Sequence, residues 1–579
     1  MHPLGSEAFQ EQRGPMYCTV HSTAVAFATS VTVVALFGCA PSEGGTSGSD
    51  REVPFDVLIS GARVIDGTGN PWFRADVGIR GDVIAEIGSL SDRDATRTIE
   101  ARDRIVSPGF IDMMGQSSLV LITDPPSAES KLRQGITTYL SGEGGSPAPQ
   151  SAETQSSPLI IEGDTVRWST YAEYFAIMER FGIPINVVHD VGLTQVRRVV
   201  LGEGDIQPTA AQLEEMKALV RQAMEDGAVG TSTSLIYPPA VYAQTEELIE
   251  LTRVAGEYGG VYFTHMRNES HAVLEAIREA IAIGEGAGVP VHIYHLKAAG
   301  QDNWPLMSDA LALIDSARAE GMDVTADIYP YIRNGIGLGS FLHPRHYAEG
   351  TDVFLATLSD TEVRSRLKEE VEGTSDWENW YRHVGMDWNN VLIVSAPDPS
   401  VINLSIAGAA EVLGTDVWSA FFDLVQNGGV SVNPKSMNEE QKWQALRADF
   451  VMIDTDASPV NPETTASSHP RAFGAFPRVI AKYVREDGVL TLEDAVRRMS
   501  SLAAHRLGLY SRGVVAPGMI ADLVVFDEEE LRDDADFGAD AMQYALGVDY
   551  LFVNGTLVID DGQMMDSRPG RLLKRAGSH

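Results

Sequence analysis

The middle of the chain alternates short apolar runs with longer amphipathic stretches, which predicts alternating strands and helices. Runs such as VYFTH and FVMID have the length of buried strands, and TAAQLEEMKALVRQAMEDG repeats apolar residues at helical spacing. The predicted strands end near Met114, Glu143, Asp190, Ser234, His265, His295, Tyr329 and Asp456. Eight strands in this order predict an α/β fold, a (β/α)8 barrel of the TIM type whose post-strand loops carry the chemistry.

The two ends of the chain have a different pattern, in which short alternating strands are separated by Gly and Asp. FDVLISGARVIDGTG near the start and GMIADLVVFD near the end are examples. We therefore predict one small β-sandwich formed by 55–107 together with 511–579, and a barrel over 108–510. The stretch 333–450, between barrel strands 7 and 8, is too long for a loop, so we predict an insertion that covers the barrel mouth.

The N-terminal region contains an apolar run of seventeen residues, Ser22–Gly38, followed directly by Cys39. Its length fits the core of a signal peptide better than a membrane span. LFGC resembles a bacterial lipobox, so lipidation of Cys39 is expected, with 39–54 as a flexible tether. We predict a signal peptide over 1–38, from a start at Met1 or Met16, and a periplasmic or membrane-anchored lipoprotein.

Composition narrows the classes of protein that remain. The chain has 579 residues, and its two cysteines exclude a disulfide framework. With 44 basic and 81 acidic side chains the net charge is −37, which repels phosphate backbones and argues against nucleic-acid partners. A membrane partner is expected only through the N-terminal lipid.

Two histidines, His265 and His295, each close an apolar run, with one helix-length segment between them. This spacing fits one β-α-β unit, so both imidazoles are expected at the same end of neighbouring parallel strands, within reach of one metal ion. Glu143 stands among glycines that let the backbone approach a ligand, and Asp456 follows another buried strand. These four residues are candidate ligands or bases at four strand ends.

Four other histidines have structural interpretations, because a lone histidine is more often hydrogen-bonded than metal-bound. We expect His189 as a strand residue, His271 at a helix start, His292 as an outward-facing residue and His469 as a loop anchor. None of them is assigned to the predicted site.

Seven motifs between residues 56 and 575 give the chain a resemblance to a known family. They are SPGFID, SKLRQGITTYLSGEGGSPAP, YFTHMRNES, YHLKAAG, DVTADIYPY, HPRAFGAFPRV and GMIADLVVFD. The chain resembles the amidohydrolase superfamily, and within it the D-aminoacylase (N-acyl-D-amino-acid deacylase) family. The resemblance implies a barrel with a small β-sandwich, bound zinc, and hydrolysis of the amide of N-acylated D-amino acids.

The chain departs from the family pattern at the predicted metal ligands. Met114 and Gln116 stand where the superfamily has a His-x-His pair, and neither replaces an imidazole on zinc. Glu143 stands where D-aminoacylases use a cysteine, and Leu193 stands where they have a histidine. We expect one Zn²⁺ ion held by Glu143, His265 and His295, a vacant second metal site, and a divergent branch of the family.

The resemblance also implies roles for further residues. Asp456 is expected to move protons between the attacking water and the leaving nitrogen. Contacts with the substrate carboxylate are expected from Lys297, Arg471, Tyr237 and Tyr329. Two alternatives stay open, in which Arg471 braces the loop after strand eight and Lys297 is a surface lysine.

The most favoured function is a zinc-dependent hydrolase of N-acyl-D-amino acids or related small amides that carry a carboxylate. One alternative is a dipeptidase for D-configured or isopeptide-like substrates. Another is a secreted, catalytically inactive binding protein, which the loss of the His-x-His pair at Met114 and Gln116 favours.

Overall fold

A computed structural model describes residues 53–155, 157–373 and 377–575. The predicted signal peptide, most of the predicted tether and Cys39 lie outside these residues, so export and lipidation stay predictions. Within the described ranges, no helix combines the length and the apolar character needed to cross a membrane.

The two ends of the chain meet in one sheet. Ile105–Pro108 pairs antiparallel with Leu523–Phe526, which joins the N-terminal and C-terminal strands. The alternating apolar side chains of these strands, among them Ile59, Val77 and Phe552, pack into one core. The nine strands are Phe55–Val64, Phe73–Arg80, Val83–Gly88, Ala95–Glu100, Ile105–Pro108, Leu523–Phe526, Val548–Val553, Thr556–Asp560 and Gln563–Met564.

The C-terminal tail differs from the prediction that 511–579 belongs to the sandwich. Its last strand, Leu572–Leu573, pairs in parallel with Asn186–His189 of the central region. The side chain of Asn186 explains this path, because its oxygen accepts hydrogen bonds from the Arg571 amide and the Asn554 side chain.

The central strands are parallel and form two sheets. The first contains Phe110–Asp112, Ile136–Ser141, Asn186–His189 and Leu572–Leu573. The second contains Val191–Gly192, Gly230–Ser234, Val261–His265, Val291–Ile293, Val324–Ile328 and Val451–Ile453. Each of the eight predicted strand ends lies within three residues of an observed one. The side chains after these strands therefore meet at one edge.

The helices between these strands bury one apolar face each. Ala210–Asp226 begins after Thr209, whose hydroxyl caps the helix, and ends before Gly227 at φ 126°. It buries Met216, Val220, Ala223 and Met224. The others of this region are Val120–Thr123, Glu129–Leu132, Tyr171–Phe181, Leu193–Leu201, Thr245–Gly256, Val273–Ala287, Leu306–Ala319, Glu439–Arg447, Arg471–Arg478, Val479–Glu486, Leu492–Met499 and Ser501–Leu507. A short hairpin joins Leu159–Ile161 to Asp164–Val166.

The segment predicted as an insertion has a sheet and a core of its own. Its three strands are Ile336–Gly337, Val391–Ser395 and Ser431–Pro434, and its helices are Thr351–Thr357, Thr361–Glu372, Trp380–His383, Ile406–Leu413 and Val417–Asn427. Trp388 stacks with Tyr381 and Phe341 in this core, at ring distances of 4.6 and 5.5 Å. Trp380 belongs to the same core and also lines cavities near the strand ends, and Trp377 lines one of these cavities.

Candidate metal centre

Glu143, His265 and His295 converge at the ends of their strands. Their ligand atoms all lie within 4.8 Å of one another. Glu143 Oε1 lies 2.7 Å from His265 Nδ1 and 3.2 Å from His295 Nε2. The structure therefore brings together the three residues that the sequence predicts as metal ligands.

Two glycines let Glu143 take this position. Gly142 has a φ of 149° and Gly144 a φ of 73°, both of which disfavour residues with a side chain. A Cβ on Gly142 would also lie 2.2 Å from the carboxylate of Asp190. The glycines of this motif are required by the backbone path that delivers Glu143.

The backbone is strained at three positions of the site. Gln116, His295 and Asp456 have φ values of 58°, 36° and 43°. Non-glycine residues rarely adopt this left-handed region, and such strain clusters at functional sites. The strain favours a functional rather than a packing role for these three side chains.

Glu269 is a functional candidate that the sequence prediction misses. Its Oε1 lies 2.9 Å from His295 Nδ1, and its Oε2 lies 3.5 Å from His265 Nε2. It therefore faces the ring nitrogens that point away from Glu143. A carboxylate in this position fixes the tautomer and orientation of a metal-binding histidine. Its position four residues after His265, in the loop that follows this strand, was the available signal.

Lys297 is buried beside this carboxylate, with an exposed fraction of 2%. Its Nζ donates to Glu269 Oε1 at 2.7 Å and lies 2.8 Å from His295 Nδ1. The alternative interpretation as a surface lysine is therefore wrong. Its contact with a substrate carboxylate stays a prediction.

Asp456 is linked to Glu143 through one shared donor. Gln116 Nε2 donates to Glu143 Oε2 at 2.6 Å and to Asp456 Oδ1 at 2.8 Å. Arg471 Nη1 lies 2.5 Å from Asp456 Oδ2. Burial raises the pKa of Asp456, and the Arg471 charge opposes that rise. The candidate proton carrier is thus held at both of its oxygens.

Three cationic side chains surround the ring of Tyr329. Arg471 Cζ lies 4.5 Å, Lys442 Nζ 4.6 Å and Lys297 Nζ 5.8 Å from the ring centroid. The phenolic oxygen of Tyr329 is buried, and it has no hydrogen-bond partner among the described residues. Tyr237 lies on another wall, with its ring 5.5 Å from that of His265. The four predicted substrate contacts therefore all lie around the cluster.

Charges within the cluster stabilise an ionised Glu143. Burial opposes ionisation, but hydrogen bonds from His265 and His295 outweigh it and hold the pKa of Glu143 far below its usual range. Burial and Lys297 oppose protonation of His295, yet the Glu269 and Glu143 carboxylates raise its pKa to about 10. Two imidazoles and one carboxylate form a donor set that suits catalytic zinc. The residues present therefore fit a zinc ion.

Known proteins of related sequence match nearly the whole chain. The amidohydrolase family model matches residues 443–559. The N-acyl-D-glutamate deacylase of Alcaligenes xylosoxydans xylosoxydans is 35% identical over 526 residues, 90% of this chain and 97% of the relative. The D-aminoacylase of the same organism is 32% identical over 92% of this chain and 100% of the relative.

Solved structures give the same result. N-acyl-D-glutamate deacylase from Bordetella bronchiseptica, complexed with zinc and a phosphonate inhibitor, matches with a TM-score of 0.75 and 31% identity, over 90% of this chain and 100% of that one. A crystal structure of D-aminoacylase matches with a TM-score of 0.74 and 32% identity over the same shares. The chain belongs to the D-aminoacylase family of the amidohydrolase superfamily. It is a metal-dependent amidohydrolase that acts on C–N bonds other than peptide bonds.

D-aminoacylase has a binuclear metal centre in which one metal activates and the second attenuates. In this member of the D-aminoacylase family, the Met114 side chain packs in a hydrophobic cluster with Ile111 and Leu140. Gln116 uses its amide nitrogen to bind the two carboxylates of the site. Neither side chain offers the donor that a histidine at its position would supply.

Three of the other histidines agree with their structural interpretations. His189 lies in a strand and bonds Ser118, His469 anchors its loop through the Arg471 amide, and His271 precedes the helix Val273–Ala287. The expectation for His292 is wrong. It is fully buried between Thr325 and Asp327, at 2.7 and 2.9 Å, because both faces of its strand are covered.

Proposed function

We propose that the chain is a zinc-dependent hydrolase that cleaves the amide bond of N-acyl-D-amino acids. The convergence of Glu143, His265 and His295, with Asp456 tied to the same cluster through Gln116, is the observation that carries the proposal. The D-aminoacylase and N-acyl-D-glutamate deacylase relatives supply the substrate class.

The roles of the residues follow from their contacts. Glu143, His265 and His295 would hold the zinc, which when bound supplies Lewis-acid polarisation of the scissile carbonyl and a more acidic water. Asp456 accepts a proton from the attacking water and donates it to the departing nitrogen, because an amine leaves poorly unless protonated. Gln116 orients Asp456 for both steps.

Arg471 is proposed to bind the substrate carboxylate. Its guanidinium is buried and forms a planar fork that suits a carboxylate. Gly335 leaves room beside it, since a Cβ there would lie 2.9 Å from Arg471 Nη2. Lys297 and Tyr329 are proposed as further contacts on this wall, and Tyr237, whose ring lies 5.5 Å from that of His265, as another contact.

We also propose that the two parallel sheets, without the edge strand Leu572–Leu573 and with Asn186–His189 and Val191–Gly192 taken as one strand, form one closed eight-stranded barrel. At one seam the Val229 amide donates to the His189 carbonyl at 2.8 Å. At the other seam Asp112 accepts hydrogen bonds from the Thr455 amide at 2.9 Å and from the buried Lys131 ammonium at 2.6 Å. The bond between Asp112 and Thr455 connects the end of the first predicted strand to the end of the eighth.

Single zinc occupancy is part of the proposal. Met114 lies in a hydrophobic cluster, and the amide of Gln116 is a poor zinc donor. Export and lipidation at Cys39 rest on the sequence pattern of residues 22–39 alone. A Cys39→Ser variant that stays in the membrane fraction of the host cell would contradict lipid anchoring.

The function is tested with a substrate panel and metal analysis on the same preparation. N-acetylated D-amino acids, their L enantiomers and D,D-dipeptides are offered to the purified protein, and zinc is measured by mass spectrometry. We expect one zinc per chain and hydrolysis of the N-acetyl-D-amino acids. Cleavage restricted to the dipeptides would favour the dipeptidase, and a protein without metal or activity would favour a binding protein.

A further inference from the structure

Two cavities of very different size meet at the site. The cavity at the metal cluster has a volume of about 40 Å³ and is lined by Glu143, His265, His295 and Asp456 among others. A second cavity has a volume of about 770 Å³. Tyr237 and Trp380 line both, so the two cavities are neighbours that share a wall. We call the second cavity the large chamber.

The lining of the large chamber is mainly apolar. It is formed by loops after two central strands, by the loop after helix Leu193–Leu201 and by the insertion, with Ile236, Val241, Leu342, Tyr347, Trp377 and Trp380 among its residues. Two arginines also line it, and each is paired with a glutamate: Arg267 with Glu279 at 2.8 Å, and Arg345 with Glu370. The chamber therefore suits an apolar ligand better than an anion.

One buried carboxyl, Glu378, also reaches the chamber wall. Its Oε1 accepts from the Glu269 amide at 2.8 Å, while its Oε2 has no hydrogen-bond partner among the described residues. Burial and the charge of Glu269 raise the pKa of Glu378 to about 8. Burial therefore disfavours a negative charge on this carboxyl at the chamber wall.

The cations of the site lie on a different wall. Arg471, Lys297 and Lys442 surround Tyr329. None of these four side chains is among the described residues that line the large chamber. If the substrate carboxylate contacts Arg471 and the amide lies at the metal cluster, the acyl group extends beyond the cluster. The small cavity has no room for a long group.

We propose that the large chamber receives the acyl group of the substrate, and that this group is a medium-length or long apolar chain. The proposal rests on the proposed hydrolase function and names the substrate class of that same site. Pockets of roughly 300–1,000 Å³ enclose ligands much larger than an acetyl group. N-acetyl substrates would leave most of the chamber filled with water.

The test compares acyl chain lengths on one D-amino acid. Burial of each methylene favours the bound state by roughly threefold to fourfold, so kcat/KM should rise at least a hundredfold from N-acetyl to N-octanoyl. Val241 and Ser340 both line the chamber. Val241→Trp and Ser340→Trp narrow it and should lose most of this gain while keeping N-acetyl turnover. Val353→Trp, at an exposed position of the insertion, is the matched control and should keep the gain.

A second comparison separates the acyl group from the amino-acid side chain. N-octanoyl-D-alanine should be cleaved faster than N-acetyl-D-2-aminodecanoate, which carries its long chain on the other side of the amide. The reverse preference would overturn the assignment of the chamber to the acyl group. Equal kcat/KM for N-acetyl and N-octanoyl substrates would overturn the chamber proposal and leave the hydrolase function standing.

A binding measurement makes the result independent of turnover. Calorimetry on the metal-free protein with N-decanoyl-D-glutamate should give binding that Val241→Trp weakens at least tenfold and Val353→Trp leaves unchanged. If no N-acyl substrate is cleaved but this difference is found, the hydrolase function fails and the chamber assignment stands. Equal binding by all three proteins would refute the chamber assignment.

Discussion

The metal cluster and the large chamber are neighbours that are built in opposite ways. The cluster joins titratable side chains from several strand ends in a cavity of about 40 Å³. The chamber is mainly apolar, about 770 Å³ in volume, and depends on the insertion for much of its lining. The difference indicates that the parallel strands fix the chemistry, whereas the insertion sets which substrates fit. Changes at the cluster should therefore affect turnover or metal binding, and changes in the chamber should affect substrate preference.

Asp456→Asn should have the largest effect of a single change at the cluster. Loss of general acid–base catalysis lowers turnover by about 10²- to 10⁴-fold. Zinc content should stay near that of the wild type, because Asp456 is not one of the three converging ligands. Steady-state kinetics and metal analysis check both points. Asp315→Asn, on the exposed face of helix Leu306–Ala319, is the control; zinc loss in Asp456→Asn would instead make Asp456 a ligand.

Asp190 is a buried carboxyl next to the metal cluster, and its ionisation lowers the free energy of unfolding. Burial raises its pKa from 3.8 to about 7, although hydrogen bonds from Ser232 and Tyr294 oppose this. Its contribution to stability is complete below about pH 4 and is lost as the pH rises through 7, because the folded state binds the proton more tightly. The free energy of unfolding of the wild type should therefore fall by roughly 3 kcal/mol between pH 4 and 7 because of this group. Asp190→Asn should not show this fall.

Urea unfolding of wild type and Asp190→Asn at both pH values provides the measurement. The chamber variant Val241→Trp and the surface variant Val353→Trp should both keep the pH dependence of the wild type. An Asp190→Asn protein that loses as much stability over this window as the wild type would show that Asp190 is ionised throughout.

Glu269→Gln should weaken zinc binding by about 10- to 100-fold, the usual cost of removing a carboxylate that orients metal-binding histidines. Competition with a chelator measures the dissociation constant, and NMR of the two imidazoles reports their tautomers. Glu285→Gln, on the exposed face of helix Val273–Ala287, is the matched control. Unchanged affinity and tautomers would restrict Glu269 to holding Lys297 in place.

Arg471→Lys should have the smallest effect in this series. The ammonium keeps the charge but loses the planar fork, so we expect KM to rise about tenfold with a smaller change in kcat. Kinetics with N-acyl-D-amino acids are compared with those of the corresponding carboxamides, which lack the carboxylate. A variant that loses as much activity on the carboxamides as on the acids would indicate that Arg471 acts only through Asp456.

The sequence predicts the parallel strand ends well because each strand is a short buried run with a distinct boundary. His265 and His295 illustrate this, since their spacing of one β-α-β unit fixes them side by side. The metal candidate Glu143 is marked by glycines whose backbone conformations the structure requires. These signals come from residues that are close together in the chain, so a single sequence contains them.

The missed features depend on contacts between distant segments. Glu378 reaches the Glu269 amide from the insertion, more than a hundred residues away in sequence. His292 is buried because neighbouring elements cover both faces of its strand, which an alternating pattern does not reveal. The large chamber likewise exists only once the insertion packs beside the strand ends. No periodicity in the chain encodes these contacts.

The most direct test of the central claim is anomalous diffraction at the zinc edge from crystals of the zinc-loaded protein. We expect one strong peak bonded to Glu143, His265 and His295, at the roughly 2.0–2.2 Å typical of zinc with oxygen and nitrogen ligands. A zinc ion held by other side chains, or no zinc at this cluster, would show that Glu143, His265 and His295 are not the metal ligands.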